Sequence, residues 1–404
     1  MDFEIISIFT EAISQETLPN SIDIWESIVI AILADDLTSA LDGAAPFASR
    51  GLQAKVAFDS RKLVGLDADV VSLDLDSRLA APDVAEERFR TAGAALAHAQ
   101  LLYKTVDSTL RGNLCAEARG TMAGSGRQKA LVAPAFPAAG RTTLGGRQLV
   151  HGVEVDLTEF GRDALNPVSS CLVADHFAEL GAAAFSVCDA VKDGELDALV
   201  SRTGLGADLL WIGSPGLAAA LARALPTNAG PRRPKPWRAV RRVLVVVGSR
   251  HRANAAQIDS LRAAGAVLVA APAPLSSPGG LAQAICAAFE EADVVCLLAP
   301  TASVEAHDGS SERLARWLGE VVSLSAPSVE GVVVTGGDTA RRVTDALHAH
   351  CLHLVGEVEA GVPLAWLDAP RGGVAFATKA GGFGDPRTLL RCVEAMRTRD
   401  ERAA

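Results

Sequence analysis

Short apolar runs alternate with alanine-rich stretches along most of the chain. The runs that predict buried strands are 28–34 (IVIAILA), 69–73 (DVVSL), 129–133 (KALVA), 209–213 (LLWIG), 243–247 (VLVVV), 266–270 (AVLVA), 293–298 (DVVCLL) and 331–335 (GVVVT). Each is rich in Val, Ile or Leu and lacks strict alternation, the pattern of a strand covered on both faces. The stretches between them suit helices. Repeated strand–helix alternation of this kind predicts an α/β protein with mostly parallel, doubly wound sheets.

One segment breaks the pattern. Residues 226–242 (PTNAGPRRPKPWRAVRR) hold four Pro and six Lys or Arg, cannot continue a helix or strand, and read as a solvated interdomain linker. The predicted organisation is an N-terminal extension over 1–27, a first domain over 28–225, the linker over 226–242 and a second domain over 243–396. Each domain is expected to rest on a mostly parallel sheet flanked by helices. The length of 404 residues is compatible with two domains or three.

Composition narrows the partners. Hydrophobic residues make up 49% of the chain, enough for more than one core, while aromatics at 4% make those cores aliphatic. A formal net charge of -10 argues against nucleic acid, whose phosphates need a basic footprint. An anionic small molecule remains compatible, because a pocket can be locally basic inside an acidic protein. No apolar run approaches the ~18–20 residues of a membrane span. The seven cysteines are scattered with no CxxC spacing, which suits thiols in a reducing, cytoplasmic compartment. Residues 1–27 carry six acids and no base, which fits neither a secretory signal nor a transit peptide.

Candidate chemistry gathers at predicted strand ends, where open parallel sheets bind ligands. The first strand ends in Ala34-Asp35-Asp36. One carboxylate can face the crevice while the other caps the following helix, and either is a candidate base or hydroxyl acceptor. Asp74-Leu75-Asp76-Ser77-Arg78 follows the second strand and offers carboxylates with one guanidinium. The densest group is Lys104 to Asn113 (KTVDSTLRGN). There Lys104 supplies a point charge, Arg111 a planar fork matched to a carboxylate, and Asp107, Ser108 and Thr109 can pair with sugar hydroxyls or cap a helix. A Pro- and Gly-shaped loop after 129–133 carries Arg141, which could reach an anion or serve only the connection.

The second half lacks both GxxxxGK[ST] and a strand-following GxGxxG. It has three other phosphate-friendly turns: Gly248-Ser249, Gly336-Gly337-Asp338-Thr339 with Arg341 and Arg342 beyond, and Lys379-Ala380-Gly381-Gly382-Phe383-Gly384. Glycines admit close backbone approach and a helix N-terminus attracts phosphate, while Asp338 could hold a magnesium ion. The cluster from His348 to His353 resembles a soft-metal set but reads better as histidines at a helix end.

Five segments together resemble the four-carbon acid sugar kinases, the family of the 3-oxo-tetronate, D-threonate and D-erythronate 4-kinases. They are ADDLTSALDGA at 34–44, KTVDSTLRGN at 104–113, APAFPAAGRTT at 133–143, VTGGDTA at 334–340, and GEVEAGVP with FATKAGGFGDP inside 356–386. The resemblance runs from about residue 28 to 395. It implies a sugar-acid-binding first domain, an ATP-binding second domain and transfer of the γ-phosphate to a terminal hydroxyl. The implied substrate contacts are Asp35, Asp36, Arg78 and, within Lys104 to Arg111, Lys104, Asp107, Ser108, Thr109 and Arg111. Asp35 or Asp36 would be the base. The implied nucleotide contacts are Ser249, Gly336, Gly337, Asp338, Thr339 and Gly381, with Mg2+ at Asp338. Domain closure about 226–242 would expel water.

Three features depart from the family pattern: Ser39 where Gly is usual, Arg250-His251 after Gly248-Ser249, and the N-terminal extension. Two rivals stay open, a nicotinamide-dependent sugar-acid dehydrogenase and a non-catalytic sugar-acid sensor. The partners expected are a small sugar acid and, for assembly, a second copy of the chain in a homodimer.

Overall fold

The computed structural model describes residues 30–398 apart from 60–62, 64–65, 164, 207, 226–236, 250, 274 and 301–309. The expected extension over 1–27 and most of the expected linker lie outside the described residues. All eight predicted strands form: β1 (Ile30–Ala34), β3 (Val70–Asp74), β5 (Lys129–Ala133), β10 (Leu209–Gly213), β11 (Val243–Val247), β12 (Val267–Ala270), β13 (Val294–Leu298) and β14 (Gly331–Thr335). Six more join them: β2 (Ala54–Ala57), β4 (Leu101–Thr105), β9 (Phe185–Val187), β15 (Cys351–Glu359), β16 (Val362–Asp368) and β17 (Val374–Lys379). A separate antiparallel ribbon holds β6 (Arg141–Leu144), β7 (Arg147–Val150) and β8 (Val153–Glu154).

The fourteen strands make one sheet in the order β12-β13-β11-β14-β17-β16-β15-β2-β3-β1-β4-β10-β5-β9. Strands from before residue 226 and strands from after residue 242 form two blocks, each mostly parallel. What the sequence pattern hides is that the blocks join edge to edge. β15 pairs with β2 antiparallel, setting Cys351 against Ala57 and His353 against Lys55. Right-handed twist of about 20° per strand turns the blocks strongly relative to each other over so many strands. Loops from both can therefore face one crevice.

The packing crosses the same seam. One apolar core runs from Ile30 and Trp211 through Leu352 and Leu367 to Val334 and Phe376. The helix Leu37–Ala48 buries all its residues except Ser39 and packs on strands of both blocks. Residues 237–242 lead into β11, and Trp237 lies 4.9 Å from Trp366 between ring centroids. Domain closure pictured as a hinge at 226–242 alone is thus too simple, since β2–β15 pairing and a shared core also connect the blocks.

A charged clasp adds to the seam. Arg341, on the helix Gly337–Ala346, places Nη1 2.7 Å from Asp74 Oδ2, and Arg342 Nη2 lies 3.4 Å from Asp76. These arginines, read from the sequence beside a phosphate turn, bind the first block's carboxylates instead. His348 lies just past that helix in a turn, whereas Cys351 and His353 belong to β15.

Asp74 is fully buried, and burial pushes its carboxyl up to about 6 despite the opposing Arg341 charge. A raised folded-state value means that the native protein still holds a proton that the unfolded chain has lost. The contribution to stability is therefore best at low pH and declines as pH rises through about 6. Arg341→Ala leaves that carboxylate unpaired and is expected to cost about 3 kcal/mol at pH 8. The cost should be clearly smaller at pH 5, where Asp74 takes up a proton. Urea unfolding at the two pH values checks this, and equal losses would remove the buried charge as the cause.

Candidate active site

Strand ends of both blocks open onto one crevice of about 510 Å³. The first block contributes Asp36 after β1, Arg78 after β3, and Ser108, Thr109 and Arg111 after β4. Opposite stand Gly248-Ser249 after β11, Gly336–Thr339 after β14 and Ala380–Phe383 after β17.

Asp36 ends an extended stretch and caps the Leu37–Ala48 helix, its Oδ1 accepting from Ser39 N at 2.7 Å. Its other oxygen accepts from Arg78 Nη1. The same guanidinium forks onto Asp35, Nε to Oδ2 at 2.7 Å and Nη2 to Oδ1 at 2.9 Å. It also donates to Ser39 Oγ at 2.9 Å, so Ser39 joins this cluster. The two aspartates differ in position. Asp35 is completely buried, whereas Asp36 lines the crevice. Burial pushes Asp36 up to about 7; Arg78 opposes the rise and the neighbouring Asp35 adds to it.

The 104–111 constellation divides. Asp107 Oδ2 accepts from Thr109 Oγ1 at 2.8 Å and from Arg111 Nε at 2.5 Å. Burial works against the Asp107 charge, yet Arg111 and Arg78 together hold its carboxyl well below the usual range. Arg111 also lies 3.4 Å from Asp163 and stacks 5.1 Å over Phe160. Lys104 corrects the sequence expectation. It sits within β4 rather than in the loop, is fully buried, and its Nζ lies 2.6 Å from Glu117 Oε2 and 5.4 Å from the Phe89 ring centroid. An ammonium committed to a buried carboxylate supports the loop from beneath and does not line the crevice.

On the facing wall, Gly336 caps the Gly337–Ala346 helix with φ of 95°, a conformation that glycine adopts without strain. Its N–H donates to the Lys379 carbonyl at 3.0 Å. The first-turn N–H groups of that helix have no intrahelical acceptors, which suits an anion. Ser249, Thr339 and Gly381 meet closely: a Cβ on Gly248 would lie 2.2 Å from Thr339 Oγ1, and one on Gly381 2.1 Å from Ser249 Oγ. Lys379, which the sequence assigned no separate role, shapes the third turn by donating to the carbonyls of Ala380, Gly381 and Phe383 at 3.1–3.2 Å. Burial lowers its ammonium to about 8. Asp338 stands exposed in the crevice mouth, among residues that crowd it enough to raise its carboxyl.

The walls also touch. His251 Nε2 lies 3.5 Å from Glu159 Oε1, and the Phe136 and Phe383 rings are 5.8 Å apart. Gly337 makes the closest approach. A Cβ there would lie 2.5 Å from Asp36 Oδ2, so its bare side faces the acidic cap of the other block rather than open phosphate space.

Residues 30–186 match the family described as "Sugar-binding N-terminal domain", and 244–389 the one described as "Nucleotide-binding C-terminal domain". A sugar domain and a nucleotide domain that share one crevice define a sugar kinase. The chain belongs to the four-carbon acid sugar kinase family. It is 35% identical to a D-threonate kinase of Bordetella bronchiseptica over 92% of this chain and 98% of that one. It is 33% identical to a D-threonate kinase of Cupriavidus necator (90% and 97% covered) and 28% identical to a 3-oxo-tetronate kinase of Methylobacterium radiotolerans (92% and 100%). Solved structures from Salmonella typhimurium LT2 (TM-score 0.72, 22% identity, 90% and 98% covered) and Haemophilus influenzae (0.64, 20%, 91% and 100%) share the fold. Among the described residues no helix is long and apolar enough to cross a membrane.

Because Gly337 abuts Asp36, Gly337→Ala should disturb both walls. Calorimetry is expected to show about tenfold weaker binding of the sugar-domain ligand as well as of ATP, the scale of a modest overpacking penalty. A loss confined to ATP would mean that the added methyl is absorbed on the nucleotide side alone.

Proposed function

We propose that the protein transfers the γ-phosphate of ATP to the terminal 4-hydroxyl of a four-carbon sugar acid. D-threonate is the first acid to try, because the relatives at 33–35% identity carry that name. The observation that carries the reading is the contact of Gly337 with Asp36. It sets the start of a phosphate-attracting helix against the acidic cap of the sugar-side helix. A phosphate held by Gly336–Thr339 would lie beside the carboxylate that can accept the acceptor's proton.

Of the two aspartates, Asp36 is the base in this reading. Asp35 is saturated by the Arg78 fork and buried, while Asp36 faces the crevice with its carboxyl raised toward neutrality, where a base is most effective. Ser249, Thr339 and Gly381 complete the phosphate turns. Phosphoryl transfer leaves the protein mainly to position and to neutralise charge. Asp338 suits a magnesium ion, being a carboxylate at the crevice mouth without a salt-bridge partner among the described residues. Magnesium commonly takes one or two carboxylates and fills its shell with phosphates and water. When bound it would offset charge on the phosphates. Neither the dehydrogenase nor the sensor reading finds support among these relatives.

The test is ADP release from the purified protein with a panel of tetronates, run beside an assay for NADH absorbance. ADP release with a tetronate is expected; reduction of a nicotinamide without it would overturn the reading. Asp36→Asn should lower kcat by roughly 10²–10⁴-fold. In the wild type, kcat/KM should rise with pH through about 7, because the base acts deprotonated. The charged groups acting on Asp36 are Arg78, Asp35 and Asp74. A flat profile between pH 6 and 8, together with near-wild-type turnover of Asp36→Asn, would leave Asp36 as a cap only.

A further inference from the structure

The cations that the sequence offers for a substrate carboxylate are mostly occupied. Lys104 is committed to Glu117, Arg78 to Asp35 and Asp36, and Arg111 to Asp107 and Asp163. Arg141 is different. It sits in β6, just past Gly140, is only 5% exposed and lines the crevice. It has no salt bridge among the described residues, and its buried Nε has no hydrogen-bond partner. One Nη donates to the Ala139 carbonyl, and the guanidinium stacks 5.2 Å from the Phe383 ring, which comes from the nucleotide-side turn.

Three other buried polar atoms, on residues that line the same crevice, also lack partners: Thr38 Oγ1, Asp42 Oδ1 and Ser108 Oγ. Their residues are 5%, 4% and 3% exposed. Buried polar atoms are nearly always satisfied, because leaving one unpaired forfeits its hydration without a replacement bond. Four such atoms on residues lining one cavity point to where a polar ligand would complete the bonding. Thr38 and Asp42 lie one turn apart on the Leu37–Ala48 helix, the same helix that Asp36 caps. Burial raises the Asp42 carboxyl well above its ordinary range, with Glu357 and Asp36 adding to the rise. A neutral acid there can donate as well as accept.

Resting on the kinase reading above, we infer that Arg141 anchors the acid's carboxylate and that Asp42, Ser108 and Thr38 read the hydroxyls along its carbon chain. A four-carbon aldonate matches this set. It has one carboxylate for the one uncommitted guanidinium among the described residues that line the crevice, two inner hydroxyls to share among the three orphaned groups, and a terminal hydroxyl left for Asp36. The carboxylate anchor thereby moves from Arg111 to Arg141, and Arg111 becomes a residue that positions Asp107. Because Asp42 and Ser108 meet inner hydroxyls, they are the residues placed to tell a threo acid from an erythro one.

The test uses the full chain, with ADP release as the readout. The acceptors are D-threonate, D-erythronate and the neutral tetritols that lack only the acid group. Arg141→Gln should raise KM for the tetronates about 10- to 100-fold, the scale of losing charge-assisted hydrogen bonds, with a smaller change in kcat and little change for a tetritol. Arg141→Lys keeps the charge without the fork and should fall between; it decides the matter if the Gln variant does not fold. Asp42→Ala should narrow the threonate-to-erythronate ratio of kcat/KM, and Asp42→Asn, which restores a donor and an acceptor, should recover part of it. Unchanged KM for the acids in folded Arg141 variants, or equal losses on acid and tetritol, overturns the anchor while leaving the kinase reading intact. A wild type that turns over no tetronate fails the kinase reading itself, and this inference with it.

Discussion

Two adjacent carboxylates, Asp35 and Asp36, sit at the buried end of the first strand, and the Arg78 guanidinium is the cation that both of them share. Like charges this close in a low-dielectric site drive each other toward protonation. Arg78 divides its donors between them, taking Asp35 with two and Asp36 with one. Asp35 is thereby held by both prongs of the Arg78 fork. Asp36 keeps one oxygen on the helix cap and a carboxyl poised near neutrality.

The second constraint is the seam between the blocks. A sheet that runs unbroken through β2 and β15, a shared apolar core and the Arg341–Asp74 pair hold the helix starts at Leu37 and Gly337 against each other. Aligning an acceptor hydroxyl with a phosphate is what enzymes of this class chiefly contribute, since held reactants avoid the entropy of meeting. Contacts such as His251–Glu159 and Phe136–Phe383 join the two walls directly.

Legibility in the sequence followed the physics of burial. Strands covered on both faces, such as Val243–Val247 and Gly331–Thr335, appear as plain apolar runs. β4 does not, because Lys104 interrupts it, and nothing in the pattern says that Glu117 neutralises the charge from a following helix. β15 and β16 escape for another reason: they are antiparallel, β15 is only half covered, and Gly356, Glu357 and Glu359 break its apolar content. With them went the seam. Within the site, Asp36, Arg78 and the Gly336–Thr339 turn stood out as residue types at strand ends. Which cation is free did not, because Arg111, Lys104 and Arg141 look equally available until their carboxylate neighbours are placed. The motif ADDLTSALDGA contains Thr38 and Asp42, but their lack of partners is a property of the folded crevice alone.

In the proposed arrangement, with Arg141 holding one end of the acid and Asp36 meeting the other, phosphate would go to the hydroxyl farthest from the carboxylate. The most direct measurement is the position of the transferred phosphate, read by phosphorus–proton correlation NMR on the product of D-threonate and ATP. Coupling of the phosphorus to the two C4 protons is the predicted result. Coupling to a C2 or C3 proton, or an acyl phosphate on C1, would contradict the orientation on which this account rests.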